Sequence, residues 1–128
     1  MTSFGKAGGL SNMYCLDIYA LMEILHKNPS FDEFLDADWL IIDATLAEFY
    51  MVLHRKFGQK TAEYWWSKFE PMTRPLHAKV WLSAVRLRLH TPKQRLSIYD
   101  CLGYCFAQEH GYIFVTGDKQ FKNKKGVK

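Results

Sequence analysis

Short unbroken apolar runs alternate along the chain with stretches in which apolar residues recur every three or four positions. Met13–Leu16 is the first run. Ile18, Leu21, Met22 and Leu25 then take the i, i+3, i+4, i+7 spacing of a helix face, ended by Asn28-Pro29. Trp39–Ile42 is a second run, between Asp38 and Asp43, and Leu46, Phe49, Tyr50, Leu53 and Phe57 mark a second helical stripe that Gly58 stops. Ala62, Trp65, Trp66 and Phe69 outline a third helix closed by Pro71, and Arg74–His77 is a short strand candidate. Ala78, Trp81, Leu82, Val85 and Leu89 outline a fourth helix that ends before Thr91-Pro92. Ile98, Cys101, Leu102, Cys105 and Phe106 predict a fifth, ended by Gly111, and Tyr112–Thr116 is the last strand. Strands buried on both sides read as continuous apolar runs. The alternation therefore predicts an α/β domain whose parallel sheet is covered by helices on both faces.

In open parallel folds of this kind the site lies beyond the carboxyl ends of the strands. Four acids fall on that edge. Asp17 follows the first strand, Glu48 is placed in the first turn of the second helix, Asp100 in the first turn of the fifth, and Asp118 two residues past the last strand. Two of them have another reading. Thr45-Leu46-Ala47-Glu48 and Ser97-Ile98-Tyr99-Asp100 both match a capping box, in which the acid closes a helix N-terminus. Asp17 and Asp118 also suit ordinary loop entries. The coincidence of all four on one edge favours a shared site. Clustered carboxylates repel unless a cation sits among them, and an all-oxygen donor set suits Mg²⁺ or Mn²⁺ rather than zinc. Such an ion activates water and stabilises the leaving oxygen of a phosphodiester.

Charge adds a polyanion to this picture. From Thr73 onward three acids face eleven Lys and Arg, a balance of +8, whereas the preceding residues carry ten acids and six bases, a balance of −4. A basic half suits a nucleic acid, and Lys79, Arg86, Lys93, Arg95 and Lys119 are the candidate phosphate contacts. No apolar run approaches the roughly 18–20 residues of a membrane span. The opening MTSFGKAGGLSN is too polar for a secretory signal, so residues 1–12 are expected to be a disordered arm or an expression remnant ahead of a domain spanning 13–128. Three cysteines without framework spacing suit a reducing cytoplasm. Cys101 and Cys105 lie on an apolar stripe and are expected to be buried thiols. There is no Gly-rich phosphate loop and no G-x-S-x-G motif.

The segments bearing these acids resemble those of PIN domains, most closely the toxin component of VapBC toxin–antitoxin pairs. Tyr14-Cys15-Leu16-Asp17-Ile18-Tyr19-Ala20-Leu21 resembles the family's opening strand and first acid, and Leu40 through Glu48 the segment bearing its glutamate. Ser97-Ile98-Tyr99-Asp100 is similar to the third motif and Val115-Thr116-Gly117-Asp118-Lys119-Gln120-Phe121 to the fourth, with Gly126-Val127 as the closing segment. The resemblance implies a three-layer sandwich around a mainly parallel sheet of four to five short strands. It also implies a Mg²⁺- or Mn²⁺-dependent endoribonuclease for single-stranded or looped RNA, homodimeric and inhibited by a cognate antitoxin. Asp17, Glu48, Asp100 and Asp118 would be the acidic site and Thr116 a supporting hydroxyl. Two positions depart from the family pattern: Ile18 stands where Thr or Ser is usual, and Gln120 where many members have another acid. A housekeeping PIN nuclease for ribosomal or transfer RNA, and a nuclease-dead PIN-like binding module, are the alternatives. An antitoxin is expected to reach the acids with an Arg or Lys and to lay an amphipathic segment against the second and third helices, near Tyr50, Tyr64, Trp65 and Trp66.

Overall fold

A computed structural model describes residues 13–34, 37–121 and 126–128; the expected arm at residues 1–12 lies outside them. Four short strands form one all-parallel sheet: β1 (Met13–Leu16), β2 (Asp38–Ile42), β3 (Thr73–Arg74) and β4 (Ile113–Val115), in the order β3-β2-β1-β4. A parallel bridge from Phe114 to Val127 extends the β4 edge. Five α-helices fill the connections: α1 (Ile18–Leu25), α2 (Asp43–Phe57), α3 (Gln59–Phe69), α4 (Ala78–His90) and α5 (Ile98–His110). Among the described residues no helix is long and apolar enough to cross a membrane.

The strands send alternate side chains to opposite faces, and two cores result. Cys15, Leu40, Ile42 and Phe114 join Val80, Leu102 and Phe106 on one face. Leu16, Ile41 and Val115 join Leu21, Phe49 and Leu53 on the other. The domain is thus three-layered, and the carboxyl ends of its parallel strands open to one edge. Gly111 takes the left-handed backbone, φ 70°, that ends α5 and turns the chain into β4.

One local expectation is overturned. The second helix begins at Asp43, directly off β2, with Ile42 as its N-cap and no side-chain cap bond. Glu48 therefore sits in the second turn rather than the first, and Thr45 is buried instead of capping. The α4 stripe faces outward. Val80 and Ala84 face the core, whereas Trp81, Leu82, Val85 and Leu89 are 45, 50, 41 and 70% exposed. The bulkiest apolar face of α4 points away from the sheet. Phe57 is likewise exposed at the end of α2.

Candidate metal centre

The central strand and its neighbour build the site. β1 and β4 run in register, Leu16 beside Val115, so the residues after each strand emerge side by side. The Asp17 N–H donates to the Val115 carbonyl at 3.1 Å, holding the two exits together. Asp17 is also the N-cap of α1: its Oδ1 accepts from the Ala20 N–H at 2.9 Å. Thr116 ties the two exits a second time. Its hydroxyl donates to the Asp17 carboxylate, and its Oγ1 accepts the Asp118 N–H at 3.0 Å. Asp118 in turn accepts the Gln120 N–H at 2.9 Å.

Asp100 comes from the other core layer. Its capping box with Ser97 is present in full: Oδ2 accepts the Ser97 N–H at 3.1 Å, and Ser97 Oγ accepts the Asp100 N–H at 3.1 Å. The capping and site readings of Asp100 are compatible, because the same residue lines a cleft of about 510 Å³ with Asp17, Tyr19, Asp118, Lys119 and Gln120. Glu48 reaches this region from α2, lining a neighbouring groove of about 340 Å³ with Tyr19, Met22, Val52 and Lys56.

Electrostatics show that the four acids share one field. Burial raises Asp17 to about 7; the Thr116 and Ala20 hydrogen bonds oppose the shift, and the charges of Asp100 and Asp118 add to it. Glu48 is also pushed to about 7, by burial first and then by Asp100 and Asp17. Burial raises Asp100 against its Ser97 bonds, with a further contribution from Asp118. Among the described residues no three His, Cys, Asp or Glu side chains close tightly enough to cage an ion by themselves. The geometry is an acidic cleft of mutually repelling carboxylates, not a finished ligand cage. Its donor set fits a hard divalent cation that keeps some waters, as Mg²⁺ does.

The basic candidates divide. Lys119 lines the acidic cleft. Lys79 is exposed and paired with Glu109 at 2.9 Å, and Arg86, Lys93 and Arg95 are exposed on α4 and the loop after it. Of the aromatic set on α2 and α3, Trp65 packs into the core beside Phe69. Tyr50 and Trp66 line an open groove of about 470 Å³. Cys15 and Cys101 are buried, and Cys105 is half-buried with its thiol pushed up to about 11 by burial and by Cys101. Two residues of the site were not singled out from sequence. Lys56 shares the groove with Glu48 at a distance of two helical turns, and Tyr19 lines both the cleft and the groove. Nothing in the apolar pattern marks either one.

A sheet of this order with this acidic edge is the architecture of a PIN-type α/β domain. The chain belongs to the PIN domain family, whose model matches residues 14–127. No curated protein sequence matches it. Solved structures share the fold at low identity. VapC20 of Mycobacterium tuberculosis, a toxin that cleaves the sarcin–ricin loop, superposes with TM-score 0.75 at 12% identity over 89% of this chain and 96% of its own. A toxin–antitoxin complex from Klebsiella pneumoniae gives 0.69 at 19% over 92% and 96%. DNA-bound VapBC from Salmonella typhimurium gives 0.67 at 16% over 91% and 96%.

Proposed function

We propose that this PIN domain is a Mg²⁺- or Mn²⁺-dependent endoribonuclease acting as the toxin of a toxin–antitoxin pair. The observation that carries the reading is the mutual electrostatic coupling of Asp17, Glu48, Asp100 and Asp118 at one sheet edge. A divalent cation held there would supply a polarised water and a counter-charge for the phosphodiester. The chain's own contribution is preorganisation. Thr116 and the Ala20 N–H fix the Asp17 carboxylate, the Ser97 cap fixes Asp100, and the Gln120 N–H fixes Asp118. Lys119 at the rim offers a phosphate contact to the incoming strand.

The structural relatives described as toxin–antitoxin complexes support a protein inhibitor. The groove between α1 and α2, apolar at Met22 and Val52 and ending at Glu48, suits an amphipathic segment that carries an Arg or Lys to the acids. The exposed face of α4 supports a homodimer, with Leu82 and Leu89 at its contact. The deciding experiment is cleavage of structured and single-stranded RNA with Mn²⁺, with EDTA, and by Asp118→Asn. Cleavage that survives EDTA removes the metal reading. Mn²⁺ binding without cleavage of any RNA favours a binding module. A short neighbouring gene for a DNA-binding protein bears on the toxin role directly, and its absence on the housekeeping alternative.

A further inference from the structure

We propose that Tyr19 is the platform on which a base of the bound RNA stacks, seating the adjoining phosphate over the acids. The identity of the polymer rests on the nuclease reading; the platform itself rests on geometry. Tyr19 is the second residue of α1, between Ile18 and buried Ala20, yet 46% of it is exposed. It lines both the acidic cleft and the groove that runs to Glu48, so it stands at the junction a strand must cross. Among the described residues its hydroxyl makes no hydrogen bond, so no polar anchor explains a tyrosine there.

Gly117 supplies the independent observation. A Cβ built on it would lie 2.0 Å from Tyr19 Cε1 and 2.3 Å from Cδ1. The ring is therefore seated directly against the Gly117 backbone. The glycines with left-handed φ are Gly58, Gly111 and Gly126, so no turn demands glycine at 117. What the missing Cβ permits is the close approach of the ring. The Phe31 ring is a neighbour, its centroid 6.4 Å away and its plane tilted by 40°. A half-exposed aromatic packed against backbone beside a carboxylate cluster has the form of a base-stacking platform. The carboxylates cannot attract a strand by charge, and Lys119 offers one cation at the rim. Stacking provides the remaining, sequence-tolerant grip.

The test uses the intact protein in EDTA at low salt, with fluorescence anisotropy as the readout. The probes are an oligoriboadenylate of about ten nucleotides and a ribose-phosphate strand of equal length without bases. Tyr19→Ala is expected to lower affinity for the adenylate about tenfold and to change abasic binding less than about twofold, while Tyr19→Phe stays near wild type. Gly117→Ala, which displaces the ring, should reproduce the base-dependent loss, and the double variant should bind no worse than Tyr19→Ala. Equal losses on both strands, or no preference for bases in the wild type, overturn the proposal and leave Tyr19 as a wall of the protein-docking groove. Base-dependent binding through Tyr19 without any Mn²⁺-dependent cleavage keeps the platform and removes the nuclease reading. Cleavage without base dependence does the reverse.

Discussion

Replacing Asp17 by Asn should stabilise the metal-free protein at neutral and alkaline pH. Asp17 is 5% exposed and its carboxyl is raised from 3.8 to about 7, chiefly by burial. One pKa unit is about 1.4 kcal/mol, so the displacement opposes the ionised form by about 4 kcal/mol above pH 7. The sign follows from proton counting. Between about pH 4 and pH 7 the folded state holds a proton that the unfolded chain has released, so wild-type stability falls as pH rises through that window and levels off above it. Asn keeps the cap, because its amide oxygen accepts the Ala20 N–H as the carboxylate does. The Thr116 hydroxyl keeps a partner by sharing that oxygen or by turning to accept from the new NH2. The variant should therefore gain about 2–4 kcal/mol near pH 8, about 1–2 near pH 5, and almost nothing below about pH 4. Urea titrations in EDTA at those three pH values measure the differences directly. Adding Mn²⁺ should then stabilise the wild type more than the variant, because binding to the folded state alone is a stabilising linkage. A variant less stable than wild type near pH 8, or one retaining the full pH slope, would refute the argument and make Asp17 a structural cap.

Other consequences are separable. Asp118→Asn should abolish RNA cleavage while leaving the Ser97–Asp100 cap and the urea midpoint near wild type. Ser97→Ala removes a bond to the Asp100 N–H and should cost about 1 kcal/mol in urea unfolding; no change at all would show the box to be idle. Lys119→Ala should flatten the salt dependence of single-strand binding by a slope of about 0.7 if Lys119 neutralises one phosphate, whereas Lys79→Ala, whose partner is Glu109, should change it less. Leu82→Glu with Leu89→Glu should yield a folded monomer in sedimentation, because neither side chain belongs to the core; a wild type that is monomeric at high concentration speaks against the α4 contact.

What the sequence revealed follows from which physical signals are one-dimensional. β1, β2 and β4 were legible because a strand buried on both faces leaves an unbroken apolar run. The acids were legible because they flank those runs. Glu48 was displaced by a turn because Thr45 to Glu48 imitates a capping box, while the helix starts at Asp43 without any cap. Tyr19 was invisible, since its placement depends on Gly117, 98 positions away and brought near by the pairing of β1 with β4.

The α4 stripe raises a different question. Periodicity locates an apolar face but not what buries it, and α4 has two such faces. The inner one is made of Val80 and Ala84, with Leu87 partly buried, and it packs α4 against α5 in the core they share with the sheet. The outer one, Trp81, Leu82, Val85 and Leu89, is larger, so the stronger stripe in the sequence is the one left in solvent by the isolated chain. Singly exposed apolar residues are ordinary, but four at helical spacing form a contiguous patch of the kind that marks an interaction surface. A pattern that predicts burial where the single chain shows exposure is then consistent with selection on an assembly. On that argument the homodimer proposed above is the state in which the same residues would be buried.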